Sequence, residues 1–336
     1  MKKILFIGDP HLKISRFDLS CKFLKWVGEV VEVEQPDLVV NLGDTFDTHS
    51  VLRSEILAEF KRHIKQIGKV CPYFYVLGNH DFYKPTDSKY HALETFKEMS
   101  NFKVIDKPIH IKELGLSFVP YIPNIADFPM QTEQVCIAHQ TFVGADYGYY
   151  RPDVGVDADK VSADIIISGH IHKRQSFGKV IYPGTPFAQG IDDINQSKGV
   201  MLFDLETFEC SFIESPLSKW KGMKFEVAQD ESAISIHRQI QENITTNDHW
   251  ILEIVGPRAE IVAYLDSKEV ITLREKYSVR FKPEYNDKEK QMKVKIRSSS
   301  MKDILVEYVD RVYQGSIDKE TLKIKALEVL SKIGIS

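Results

Sequence analysis

Three short apolar runs, Lys3–Gly8, Asp37–Leu42 and Tyr73–Leu77, alternate with two helical patterns, Phe17–Val33 and Val51–Ile67. Runs of strand length separated by helix-length amphipathic stretches predict parallel βαβ units. A parallel sheet gathers its ligands at the carboxyl ends of its strands. Each of these runs ends in a polar block: Asp9-Pro10-His11, then Gly43-Asp44, then Gly78-Asn79-His80-Asp81. Further on the pattern becomes one of consecutive strands: Leu116–Pro120, Gln134–Ala138, Asp164–Ser168, Lys179–Tyr182, Val200–Phe203 and Cys210–Ile213. Two of these run into the blocks Ala138-His139 and Gly169-His170-Ile171-His172. An α/β fold of two packed sheets flanked by helices accommodates both halves.

The blocks supply Asp, Asn and His side chains, a nitrogen and oxygen set that suits Mn²⁺, Fe²⁺ or Zn²⁺ better than a soft thiolate site does. In Asp9-Pro10-His11 and in His170-Ile171-His172, alternate residues of an extended segment fall on one face, so each pair can share an ion. A carboxylate such as Asp44 can bridge two cations, and the flanking Gly43 lets backbone approach closely. Taken singly, Asp9-Pro10 also suits a surface turn and Asp44 a helix N-cap. Gly78-Asn79-His80-Asp81 is more specific, because three consecutive polar side chains at a strand end are costly to bury without use. Asn79 offers an amide oxygen, His80 a proton for a leaving group or stabilisation of phosphoryl charge, and Asp81 a means of orienting the loop or His80. His139 gains weight only from its company. The remaining histidines, His49, His63, His91, His110, His237 and His249, fit no block and read as structural. Two cations a few ångströms apart clamp a phosphoryl group and generate hydroxide at neutral pH. The chain therefore reads as a metal-dependent phosphoesterase.

At 336 residues the chain exceeds a single ordinary domain. A linker is expected at Ser215-Pro216-Leu217-Ser218. After it comes a small α/β module: strand Lys224–Val227, helix Glu231–Glu242, strand Trp250–Val255, helix Pro257–Leu265, strand Ser278–Phe281. Ser298-Ser299-Ser300 opens two amphipathic helices, one with Met301, Ile304, Leu305, Tyr308, Val309 and Val312 on a stripe, the other with Leu322, Ala326, Val329, Leu330 and Ile333. The net charge of −4 argues against a uniformly basic nucleic-acid binder. Residues 274–297 nevertheless hold nine basic and four acidic side chains, a strip able to track a phosphate backbone or to form a solvated face. The four cysteines, Cys21, Cys71, Cys136 and Cys210, are far apart and read as buried thiols of a reducing cytosol. The opening apolar run is too short for a signal peptide, no stretch is long enough to cross a bilayer, and the expected location is the cytoplasm of a bacterium or of a phage's host.

In this order the five blocks resemble the calcineurin-like metallophosphoesterase superfamily, whose pattern is D-x-H, G-D, G-N-H-D/E, H and G-H-x-H. Within it, Asp9-Pro10-His11-Leu12, Gly43-Asp44-Thr45-Phe46-Asp47 and Tyr182-Pro183-Gly184-Thr185-Pro186 resemble the SbcD type, the nuclease subunit of DNA double-strand-break-processing complexes. Lys13 departs from the glycine frequent after D-x-H-L. The resemblance implies an αββα sandwich over residues 1–215, a capping, DNA-contacting domain over 216–297 and a helical partner-binding segment over 298–336. It implies that Asp9, His11, Asp44 and His172 hold one ion, that Asp44, Asn79, His139 and His170 hold the other, and that His80 is catalytic. It further implies two Mn²⁺ ions, 3′→5′ exonuclease and endonuclease action on DNA ends in recombination, repair and replication, a coiled-coil ATPase partner of the SbcC type, and a homodimer. The alternative on the same fold is a small-molecule or protein phosphoesterase. A catalytically dead scaffold is disfavoured, since no ligand position is missing.

Overall fold

In a computed structural model of the chain, residues 2–47, 51–84, 87–148, 151–152, 154–286, 306, 309–310 and 318–332 are described. The strands are β1 (Lys3–Ile7), β2 (Leu38–Asn41), β3 (Tyr73–Val76), β4 (Phe82–Lys84), β5 (Asp87–His91), β6 (Phe102–Ile105), β7 (Ile109–Ile111), β8 (Leu116–Val119), β9 (Val135–His139), β10 (Ile165–Gly169), β11 (Gln175–Phe177), β12 (Val180–Tyr182), β13 (Gly199–Asp204) and β14 (Cys210–Glu214). Two helices intervene early, α1 (Phe17–Glu34) and α2 (Ser54–Ile67). In α1, Phe23, Leu24, Val27, Val30 and Val31 form one buried stripe, the spacing of a helix with a single apolar face. The helix stops at Gln35, which turns left-handed and returns its N–H to the Val31 carbonyl.

Two six-stranded sheets result, ordered β14-β13-β1-β2-β3-β6 and β11-β12-β10-β9-β8-β7. In the first, β1, β2, β3 and β6 are parallel and β13 pairs antiparallel to β1. In the second, β12, β10, β9 and β8 are parallel with antiparallel strands at both edges. Alternation along β1 divides the core. Leu5 and Ile7 pack with α1 and α2, whereas Ile4 and Phe6 join Phe118, Ile137 and Ile167 of the second sheet. The outer face of the second sheet, including Cys136, Ala138 and Ile166, is covered by Phe128, Phe142 and Val156. Buried on both faces, the strands read as unbroken apolar runs. The carboxyl ends of β1, β2 and β3 thus face the same edge as those of β9 and β10.

The β4–β5 hairpin, β6, β7 and β11 were not expected from the sequence; they are three to five residues long, too short to show a period. The module after β14 is a three-stranded parallel sheet, β15 (Trp220–Glu226), β16 (His249–Gly256) and β17 (Ser278–Tyr285). Its helices are α3 (Ala233–Asn243), α4 (Arg258–Leu265) and an additional α5 (Lys268–Lys276). Strand β15 starts four residues before the expected strand, and β17 extends four residues beyond Phe281. Met1–Tyr285 is one compact unit and Asn286–Ser336 a second. In the second unit, helix Lys319–Lys332 lies where the last amphipathic stripe was expected, and the Asp318 carboxylate caps it by accepting the Thr321 N–H at 2.9 Å. The basic residues Lys288, Lys290, Lys293, Lys295 and Arg297 and most of the first expected stripe lie outside the described residues, as does His49. Cys71 and Cys136 are buried, Cys21 is half-buried, and Cys210 is exposed on the edge strand β14, contrary to expectation. Among the described residues, no helix is long and apolar enough to cross a membrane.

Candidate metal centre

The loops that leave the parallel strands converge. Asp9 follows β1, Asp44 follows β2, Asn79 and His80 follow β3, His139 ends β9, and His170 and His172 follow β10. The two sheets are locked together here by close backbone contact. A Cβ on Gly8 would collide with the carbonyl oxygen of Gly184, and one on Gly169 with that of Leu42. This gives the Tyr182-Pro183-Gly184-Thr185-Pro186 segment a role: it seats the second sheet against the loop that carries Asp9.

The backbone is held in a costly conformation at three of these positions. His11, Asp44 and His170 have φ of +42°, +50° and +83°, a region that side-chain-bearing residues visit sparingly and that is enriched at functional sites. The extended geometry expected for Asp9–His11 and His170–His172 is therefore absent. Their side chains converge through these left-handed residues instead, and Asp44 sits in a loop, not at a helix start. Hydrogen bonds fix the loops: His11 N–H donates to the Asp44 carbonyl at 3.0 Å and Leu12 N–H to that of Thr45 at 2.7 Å.

Carboxylate and imidazole atoms fall into two clusters that share one residue. Asp9, His11 and Asp44 form the first, and Asp44, His139 and His170 the second; within each, one ligand atom per residue lies within 4.8 Å of the others. His172 joins the first cluster, its Nε2 standing 3.0 Å from that of His11. Asn79 joins the second, with Oδ1 at 3.1 Å from His139 Nε2 and 2.7 Å from His170 Nδ1. The His139 Nδ1–H donates to the Leu42 carbonyl at 2.6 Å, which turns Nε2 toward the cluster, so that losing its Nε2 proton would leave the lone pair aimed at an ion there.

The donor set fits cations. Asp9 is fully buried, and among the described residues no donor meets its Oδ2, while Oδ1 accepts the His170 N–H at 2.7 Å. An orphaned buried carboxylate oxygen is expensive, and a cation would satisfy it. The protein's own charges register the same crowding. Burial raises the Asp9 carboxyl above the usual range. Burial opposes charge on His139, but Asp44 and Asp9 outweigh it and raise the imidazole to about 9. Burial and His139 together lower His170 to about 3.

His80 lies beside the first cluster without being part of it. Its backbone N–H donates to Asp44 Oδ1 at 2.7 Å, its Nδ1 is 3.3 Å from the Asp47 carbonyl, and its ring meets that of His11 edge-on at 4.9 Å. Asp81 holds the Asp44 and Gly78 backbone. A cavity of about 350 Å³ opens beside both clusters, with Tyr147, His170, His172, Gln189 and Gln196 in its wall. Sequence reasoning missed Gln189, Asp193 and Lys198, whose bonds run to the Pro10 and His172 carbonyls. Nothing in Ser197-Lys198-Gly199 distinguishes it from a surface turn.

Fold and site together define a metal-dependent phosphoesterase. The calcineurin-like phosphoesterase family matches residues 2–174, and the chain belongs to that family. It is 33% identical over 214 residues to "Putative phosphoesterase 244L" of Invertebrate iridescent virus 6, an alignment covering 60% of this chain and 75% of that protein. It is 27% identical to "Putative phosphoesterase 078R" of Invertebrate iridescent virus 3, covering 56% and 60%. It is 25% identical to "Exonuclease subunit 1" of Enterobacteria phage T4, covering 63% and 67%.

Proposed function

We propose that this chain hydrolyses phosphate esters at two divalent cations, one held by Asp9, His11, Asp44 and His172, the other by Asp44, Asn79, His139 and His170. The observation that carries this reading is the shared position of Asp44 between two clusters, one of which contains the orphaned Asp9 Oδ2. Bound cations neutralise phosphoryl charge and lower the pKa of water. The chain's own residues do the rest. The exposed His172 and half-buried His170 receive the ester from the adjoining cavity. The buried Asp44 and His139 keep the centre dry on its inner side. His80, edge-on to His11, donates a proton to the leaving oxygen.

For the substrate, the two iridescent-virus relatives have the greater identity, and their names say only phosphoesterase. A small-molecule or protein phosphoester is compatible with them. The narrower reading is a Mn²⁺-dependent nuclease acting on DNA ends, favoured by one observation, the likeness to the exonuclease subunit of phage T4. In that reading residues 216–297 contact DNA, residues 298–336 bind a coiled-coil ATPase, and the chain pairs with a second copy in the cytoplasm. The deciding experiment offers the full chain, with Mn²⁺, p-nitrophenyl phosphate, bis-p-nitrophenyl phosphate and end-labelled duplex DNA. Metal-dependent hydrolysis of any of these supports the phosphoesterase reading, and none with any divalent cation sinks it. The nuclease reading requires DNA cleavage that falls steeply with added salt; hydrolysis confined to the small esters, with and without the ATPase, overturns it.

A further inference from the structure

Lys198 is 3% exposed, an expensive position for an ammonium group. Its Nζ lies 2.6 Å from Asp193 Oδ1 and donates to the carbonyl oxygen of His172 at 2.9 Å. The same carbonyl accepts the Thr185 backbone N–H at 3.0 Å. On the other side of the pair, Asp193 Oδ2 accepts the Gln189 backbone N–H at 2.6 Å, and the Gln189 side-chain amide donates to the Pro10 carbonyl at 2.9 Å. One buried ion pair therefore reaches two of the three loops that carry the first cluster, the His172 loop through Lys198 and the Asp9-Pro10-His11 loop through Asp193 and Gln189. Those loops bring the His11 and His172 Nε2 atoms to 3.0 Å. A lysine buried only to neutralise Asp193 has no need of the His172 carbonyl, yet that is where a second bond is made.

We propose that Lys198 is a positioning residue for the metal centre: by holding the His172 carbonyl it sets the separation at which the His172 and His11 imidazoles share one cation. The inference rests on the reading of those two residues as ligands of a common ion. It assigns the lysine to the ion of His11 and His172, since the bonds of the pair end on the His172 carbonyl and, through Gln189, on the Pro10 carbonyl, and among the described residues none ends on His139, Asn79 or His170. Groups that orient ligands from behind typically carry 10–100-fold of metal affinity.

The test is Mn²⁺ binding to the full chain, followed by calorimetry and by electron paramagnetic resonance, with thermal unfolding recorded alongside. Lys198→Met alone leaves Asp193 buried and uncompensated, so the informative protein is Asp193→Asn with Lys198→Met, in which both charges go and the Asn amide oxygen can still accept the Gln189 N–H. One Mn²⁺ should bind as before and the second about 10–100-fold more weakly, with the spin-coupled signal of a Mn²⁺ pair lost at concentrations that fill the unaltered chain. Asp193→Asn alone keeps the lysine bond to His172 and should retain both ions, so it serves as the deciding variant if the double variant does not fold. Two ions bound at unchanged affinity by the folded double variant overturn the proposal, as does equal weakening by Asp193→Asn alone. An unaltered chain that binds no pair of ions overturns the metal reading itself, which keeps the two failures apart.

Discussion

Asp81 stands directly behind Asp44: its Oδ2 accepts the Asp44 backbone N–H at 3.0 Å and the Gly78 N–H at 2.8 Å, and its Oδ1 accepts the Tyr75 hydroxyl at 2.9 Å. One buried carboxylate thus ties the loop after β2 to the loop after β3 and holds Asp44 in its left-handed conformation. Burial, with the charge of Asp44, pushes the Asp81 carboxyl up to about 7 in spite of its three donors. Asp81→Ala should strand two buried N–H groups, at about 1–3 kcal/mol each, and loosen Asp44, lowering metal affinity about 10–100-fold. Asp81→Asn keeps an acceptor oxygen for the two N–H groups and should lose far less. Denaturant midpoints and Mn²⁺ titrations of both variants check this, and equal behaviour of the two would show that Asp81 matters only as a charge.

The position of His80 leads to a different pattern of loss. Its backbone is tied to Asp44 and its ring lies edge-on to His11, outside both ligand clusters. His80→Asn should reduce turnover by about 10²–10⁴-fold, the usual span for a general acid, with both ions still bound. Elemental analysis of the purified variant decides the point, because a missing ion would make His80 a ligand.

The βαβ alternation and the address of the site were legible because buried parallel strands read as unbroken apolar runs and their carboxyl ends carry the polar blocks. The local geometry was not. Asp9-Pro10-His11 and His170-Ile171-His172 suggested extended segments, but His11 and His170 are left-handed, a conformation set by contacts with Asp44 and Asp9 from distant loops. Asp81 was legible as part of a block but not as the group behind Asp44. Lys198 and Asp193 gave no signal, since a buried ion pair becomes visible only when the fold brings its members together.

His63 carries a prediction about pH. Its ring is buried between α1 and α2, stacked on Phe60 and edge-on to Tyr73, and its Nδ1–H donates to the Leu24 carbonyl at 3.1 Å. Burial lowers its pKa to about 4, only partly opposed by that bond. The unfolded chain takes up a proton near the ordinary histidine value of about 6.5, so between there and about 4 the unfolded state holds a proton that the folded state lacks. Stability from this group is therefore complete above that window and falls as the pH drops through it, by about 3 kcal/mol at most. Urea midpoints across the window should show the loss, and His63→Leu should flatten the curve. An unchanged slope in the variant would place the acid sensitivity elsewhere.

Asp44 and Asp9 are both fully or almost fully buried carboxylates at strand ends, yet they should fail differently when removed. Asp44 belongs to both clusters and touches the second through His139, its Oδ2 lying 3.3 Å from Nε2. Asp9 belongs to the first cluster only, with one oxygen engaged by the His170 N–H and the other met by no donor among the described residues. Asp44→Ala should therefore cost both ions, and removing its charge should also lower the His139 pKa, because Asp44 is the strongest influence raising it. Asp9→Ala should cost mainly the ion shared with His11 and leave the Asp44, His139 and His170 cluster able to bind one. Ion counts by elemental analysis, with the His139 ring followed by nuclear magnetic resonance, separate the cases. The same single-ion loss in both variants would mean that Asp44 does not bridge, and the two-cation arrangement would have to be rebuilt around another residue.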